Sequence, residues 1–301
     1  MSHKNFSRVF VSKTVLLILV CWALLAVPAS AQHFEQVTGA LTNVAAGRNE
    51  VFGIDSKSAV WRYNASTKSF HKIANAKLGQ LVVGGGTLSQ LDEVWGIDES
   101  LNIYRFNYSS KAFDQIPGTL SQITVGPGYE DNCHPYEVWG VNSAQSIYRY
   151  DYCSSEFVQV AGLLTVIATG GGDVWGINVN GQVFHFIFNS FSQVTGLYGT
   201  PAQIVVGVND VWVINESAQV YRYDPSTGQF YGPHDLYLVQ IAAGGDGVWA
   251  TLDGTLARLD PEAGEFIDVN FEGSCTDVAV GSGAGVFAVN SSNQVFMFIR
   301  P

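Results

Sequence analysis

The sequence predicts an all-β protein, a seven-bladed β-propeller closed into a ring by its own N-terminal strand. Three observations carry the prediction. A four-part phrase recurs seven times, mostly every 37 residues. Each part has the composition of a short strand, and the two ends of the mature chain are incomplete in complementary ways.

The first part is a β-branched run ending in glycine. It appears as Val44-Ala45-Ala46-Gly47, Leu81-Val82-Val83-Gly84 and Ile123-Thr124-Val125-Gly126, and recurs up to Gly170, Gly207, Gly244 and Gly281. Spacings between these glycines are 37, 42, 44, 37, 37 and 37 residues. The second part is Val-aromatic, with the aromatic at Phe52, Trp95, Trp139, Trp175, Trp212, Trp249 and Phe287. The third is an aromatic strand such as Ile103-Tyr104-Arg105-Phe106 or Val220-Tyr221-Arg222-Tyr223. The fourth is a Phe followed by Val or Ile, as in Phe157-Val158-Gln159-Val160. Val, Ile, Tyr, Phe and Trp bounded by Gly, Asn, Asp and Ser are strand segments between turns. No window carries apolar residues at helical spacing for long enough to suggest a helix. Four short strands per unit at this period match a propeller blade.

Polar turns such as Asn178-Val179-Asn180-Gly181 join the second and third parts, which therefore form a hairpin. Runs such as Ile204-Val205-Val206 do not alternate with polar residues, as expected of sheets buried on both faces. At the N-terminus, Phe34-Glu35-Gln36-Val37 reads as a fourth strand without its first three. At the C-terminus, Val295 to Ile299 reads as a third strand without its fourth. Pairing them completes the last blade and leaves no free end sheet. An open stack of β units, the rival architecture, would expose its end sheets.

Residues 1–31 read as a secretory signal peptide. Lys4, Arg8 and Lys13 precede the apolar run Val15 to Val27, and Ala29-Ser30-Ala31 supplies small residues for cleavage. The run is short for a membrane span. Cleavage leaves residues 32–301 as one propeller domain, secreted or periplasmic. The chain has a formal charge of −11, and removing three basic residues makes it more acidic. That charge, without a Lys/Arg cluster, argues against nucleic acid or an anionic membrane as partner, and no membrane insertion is expected after cleavage. Cys133 and Cys153 flank the third unit's hairpin. A turn centred on Ala144 and Gln145 sets Val138 opposite Asp151 and the cysteines just beyond, within disulfide reach. Cys275 is then free and buried at the start of the seventh unit's inner strand.

Motifs of catalysis, metal binding and phosphate binding are missing from the sequence, so neither enzyme activity nor a cofactor is expected. The histidines share no register, and Asp55 and Asp98 give way to Asn142, Asn178 and Asn215 at equivalent places. Such residues hold hairpin turns. Units two and three carry insertions, Gly85 to Asp92 and Pro127 to Tyr136, on one face. They mark either a binding face or neutral loop drift. The repeated aromatics and arginines are the candidate site. Trp95 with Arg105, Trp139 with Arg149, Trp212 with Arg222, and also Trp175 and Trp249, would offer an apolar face and hydrogen-bond donors to a sugar. The bland alternative for each Trp is packing between blades.

The phrase Trp95-Gly96-Ile97-Asp98 with Ile103-Tyr104-Arg105, and its copy Trp139-Gly140-Val141-Asn142 with Ile147-Tyr148-Arg149, resembles the tectonin repeat. The resemblance covers the whole mature chain and weakens at Trp249-Ala250 and Phe287-Ala288. Tectonin-type lectins, which typically have six units, are propellers that bind glycans or bacterial surface lipopolysaccharide. The resemblance implies a secreted lectin with several shallow inter-blade sites for glycans or cell-surface polysaccharide. The alternative is a propeller scaffold for protein partners, favoured if the aromatics are fully buried. An enzyme would have to gather His and carboxylates from several blades at one mouth of the ring.

Overall fold

A computed structural model describes residues 32–128 and 132–300. The expected signal peptide lies outside the described residues. Among the described residues the secondary structure is twenty-eight strands and no helix, so no helix is long and apolar enough to cross a membrane.

Unit three shows how the phrase folds. Its four strands, Gln122–Pro127, Tyr136–Val141, Ser146–Asp151 and Glu156–Leu163, pair in order as an antiparallel sheet. In the central hairpin Asn142 Oδ1 accepts the backbone N–H of Ala144 at 3.0 Å and of Ser146 at 2.9 Å. Asp98 does the same for Ser100 and Asn102 in unit two. Either Asp or Asn supplies the acceptor, which is why the repeat exchanges them. The turn brings Gln145 to φ +67° and sets Trp139 opposite Arg149. The expected pairing of Val138 with Asp151 is thus off by one residue, because the turn is centred on Ala144. The Cys133–Cys153 disulfide forms nonetheless, with its Cα atoms 4.9 Å apart, and Cys275 is a free, buried thiol.

The glycine after the repeated Trp is a packing requirement. A Cβ on Gly140 would lie 2.4 Å from Leu120 Cδ1 and 2.8 Å from the carbonyl oxygen of Gln122. Gly53, Gly96 and Gly176 meet Leu41, Leu78 and Leu164 in the same way. In unit five the preceding connection is longer, its Leu197 is only half-buried, and Val213 stands in place of the glycine.

Seven separate four-stranded sheets are the sequence-based expectation. Hydrogen bonding gives five of four strands and one of eight. The eight-stranded sheet contains the strands of units one and seven, with the N-terminal strand His33–Ala40 between them. That strand runs antiparallel to Gln294–Ile299, with Phe34 opposite Phe298 and Val37 opposite Val295. A register shift between Val37 and Ala40 lets Thr38 form one parallel bridge to Ser69 of unit one. The Thr38 N–H donates to Lys68 O at 3.2 Å, and this contact merges the two groups of strands.

Neighbouring inner strands approach closely. A Cβ on Gly84 would sit 2.8 Å from Val125 O, on Gly244 2.5 Å from Val280 O, and on Gly281 2.4 Å from Gly47 O. Side chains clasp the same strands. Gln80, Gln122 and Gln203 accept the backbone N–H of Ile123, Ile167 and Ile241 in the following units. In unit seven Asp277 takes this place. It accepts the Val44 N–H at 2.8 Å and the Gln240 Nε2–H at 2.8 Å. Burial pushes the Asp277 carboxyl above the ordinary aspartate range, against the pull of those donors.

The core lies between adjacent units. Trp139 packs edge-on against Phe186 of unit four, with ring centroids 4.8 Å apart, and Trp95 against Tyr150 of unit three, also at 4.8 Å. Trp249 meets Phe298 of unit seven, and Phe287 meets Tyr63 of unit one. The aromatic of each second strand is thus a wedge into the next unit.

Candidate functional site

The structure removes the tryptophans from the candidate site. Trp95, Trp139, Trp175 and Trp249 are 0% exposed and Trp212 is 3% exposed. The rings of Trp95, Trp139, Trp175 and Trp212 lie against neighbouring rings and the third-strand residue, and that of Trp249 against Phe34 and Phe298, so none can stack on a sugar. Register sets the pairing, since each Trp lies opposite an Arg or His of the third strand on one sheet face. Arg105 sits 5.5 Å above the Trp95 ring, Arg149 5.4 Å above Trp139 and Arg222 5.1 Å above Trp212. In unit four, His185 replaces the arginine and stacks on Trp175 at 4.1 Å.

A third member of this arrangement went unrecognised in the sequence. An acid lies two residues before the aromatic in units one to five, at Glu50, Glu93, Glu137, Asp173 and Asp210. That recurrence was the available signal. Glu93 accepts the Trp95 indole N–H at 2.8 Å and both Arg105 Nε–H at 2.7 Å and Nη2–H at 2.6 Å. Glu137 holds Trp139 and Arg149 likewise. Burial opposes the Arg105 charge, but the hydrogen-bonded Glu93 carboxylate overrides it and holds the guanidinium above its ordinary pKa. Where the acid is Asp173 or Asp210, one methylene shorter, or is replaced by Gly247, the indole N–H of Trp175, Trp212 or Trp249 has no partner.

The arginines reach a surface. Arg105 borders a recess of about 280 Å³ with Glu93, Asn107, Tyr108, Asp114 and Ile116. At the equivalent place in unit one, Arg62 borders a recess of about 660 Å³ with Glu50, Tyr63, Asn64, His71 and Ile73. Strand register makes the two recesses equivalent, because Arg62 lies opposite His71 and Arg105 opposite Asp114. Their sizes differ because Ala65 in unit one stands where unit two has Tyr108. Tyr108 fills its junction, lying 5.6 Å from the Arg62 guanidinium and donating its hydroxyl to Asp92 O at 2.7 Å. The unit-one recess opens toward unit seven, where Gly283 and Ala284 form the far wall. Arg149 and Arg222 are ion-paired with Glu137 and Asp210.

A further cavity, about 370 Å³, is axial and is lined by inner-strand ends from Gly47 and Gly84 round to Gly244 and Ser282. The two insertions touch, with the Tyr136 hydroxyl donating to Leu91 O at 2.9 Å. Among the described residues, one group of His, Cys, Asp and Glu is compact enough for a metal: Cys133, Asp151 and Cys153. Its two sulfurs are joined to each other.

The Tectonin domain family model matches residues 24–197 and 163–300. No curated protein matches the sequence. Among solved structures the chain is similar to U3-55K, with TM-score 0.66 and 11% identity over 89% of this chain and 98% of that one. It is similar to the WD40 β-propeller domain of Doa1, with TM-score 0.64 and 11% identity over 90% and 97%. YCF48 bound to D1 peptide gives TM-score 0.64 and 10% identity over 90% and 97%. At such identities the likeness is one of fold, the β-propeller.

Proposed function

The chain belongs to the Tectonin domain family, and from that membership and its paired surface recesses we propose that it is a secreted, non-catalytic carbohydrate-binding propeller. The observation that carries this reading is the recurrence of one polar recess in two units. Each has an acid–Arg pair on its floor, an Asn at its rim, and an Ile on the same strand as a polar residue, His71 or Asp114. Fixed donors and acceptors beside apolar patches suit sugar hydroxyls and the C–H face of a pyranose. Sites this shallow bind weakly one at a time and gain strength on a repetitive glycan surface. The disulfide fits the oxidising compartment that a signal peptide leads to.

A glycan array probed with residues 32–301 tests the reading. We expect binding, and a loss of about tenfold or more in Asp114→Ala and His71→Ala, equivalent to about 1.4 kcal/mol per tenfold. Both side chains are exposed, so the unfolding midpoints should not move. If no glycan binds at millimolar concentration, the reading fails.

A second reading, a protein-interaction module, is favoured by the full burial of the repeated tryptophans, the condition stated above for a scaffold, and by the exposed apolar side chains at the opposite ends of units four to six. These include Val179, Tyr198, Tyr237 and Val239, each more than half exposed. YCF48, a protein of similar fold, binds the D1 peptide.

We also read the eight-stranded sheet as two blades that share the N-terminal strand, which makes seven blades in a closed ring. The contacts of Gly281 with Gly47, of Asp277 with Val44, and of Phe287 with Tyr63 support it. Deleting residues 33–40 should then lower the unfolding midpoint and promote self-association through the bared edge of Gln294–Ile299. A deletion variant as stable and monomeric as the parent would disprove closure by this strand.

A further inference from the structure

Resting on the carbohydrate reading, we infer that the unit-one recess is specific for acidic sugars, with Arg48 binding the sugar carboxylate, and that the unit-two recess is not. The two recesses share a frame but differ in charge. In each, the floor pair cancels: Glu50 with Arg62, and Glu93 with Arg105. What remains in unit two is the carboxylate of Asp114. What remains in unit one is the guanidinium of Arg48, with His71 in the position of Asp114.

Arg48 is unlike the other arginines facing such recesses. Its Nη1 donates to Ser282 O at 3.2 Å, which fixes the side chain across the junction of units one and seven. Among the described residues no carboxylate lies within ion-pair distance of it. The acids around it are already committed: Glu50 to Arg62, Asp92 to the backbone N–H groups of Arg48, Asn49 and Glu50, and Asp246 to Arg300 and the N–H groups of Gly283 and Gly285. The facing wall from unit seven, Gly283 and Ala284, carries no charge. In a chain of formal charge −11, an anchored cation without an acid partner at the edge of a recess is a defined anion site, since planar guanidinium edges match carboxylates. Tyr63 and Ile73 supply apolar wall, and Asn49, Asn64 and His71 supply hydrogen-bonding groups. The volume, about 660 Å³ against about 280 Å³ in unit two, leaves room for a carboxylate beside a sugar ring.

The test is titration calorimetry of residues 32–301 with hexuronates and their parent hexoses (glucuronate and glucose, galacturonate and galactose, mannuronate and mannose). Acetate and inorganic phosphate serve as bare anions. We expect at least one hexuronate to bind tenfold or more tightly than its parent hexose and than either bare anion. Arg48→Gln, which keeps a donor for Ser282, should bring that preference to within about twofold. Arg48→Lys should retain it. Equal binding of acid and parent sugar, a preference that survives Arg48→Gln, or bare anions binding as well as hexuronates would overturn the inference. In each of these outcomes sugar binding persists, so the carbohydrate reading stands. Absence of binding to every one of these sugars would overturn the inference, and the glycan array decides the carbohydrate reading.

Discussion

Replacing Trp139 by alanine is expected to cost about 4 kcal/mol of folding stability, in the range of large aromatic truncations in cores. The side chain is 0% exposed and wedged against Phe186 and Phe191 of the next unit. Its removal opens a cavity between two sheets that otherwise meet through inner-strand contacts such as Gln122 with Ile167. It also strips Glu137 of the indole N–H and uncovers Arg149, which rests on the ring. Trp139→Phe keeps most of the buried area and loses the hydrogen bond, so a smaller cost of about 1–2 kcal/mol is expected. Urea unfolding followed by tryptophan fluorescence measures both. A Trp139→Ala protein that keeps its unfolding midpoint and loses glycan binding would return this residue to the ligand site and contradict the packing described here.

Much of the architecture was legible because each repeated residue answers a local need. Asp98 and Asn142 could be assigned to turns from chemistry alone, since only a short side-chain acceptor can hold two backbone N–H groups one turn ahead. The Cys133–Cys153 bond was legible from the hairpin, and survived a one-residue error in its register because both cysteines lie beyond its ends. The burial of the tryptophans was not legible. It depends on Tyr150, Phe186 and Tyr223 of following units, which meet Trp95, Trp139 and Trp175 only once the sheets are assembled. The repeated Trp–Arg register was visible, but it served packing, and the acids at Glu93 and Glu137 that complete it were overlooked. The recesses were hidden for the opposite reason. Their character is set at positions that vary from unit to unit, Ala65 against Tyr108 and His71 against Asp114, and a search for recurrence passes over such positions.

Asp92→Ala is expected to cost about 3 kcal/mol and to weaken ligand binding at the unit-one recess. Asp92 closes the inserted loop of unit two and is 1% exposed. Its carboxylate accepts the backbone N–H of Arg48 at 2.9 Å, Asn49 at 2.6 Å, Glu50 at 2.9 Å and Gly86 at 3.1 Å. Alanine would leave these donors without their acceptor, and each buried donor left unmade costs about 1–3 kcal/mol before water relieves it. The first three belong to the loop of unit one that carries Arg48, Asn49 and Glu50 into the recess. The insertion is therefore a brace on the neighbouring unit, at odds with neutral loop drift. Asp92→Asn keeps one acceptor oxygen and should lose about half as much stability. If Asp92→Ala unfolds at the parental urea concentration, the loop is ornamental and the recess is shaped without it, by units one and seven.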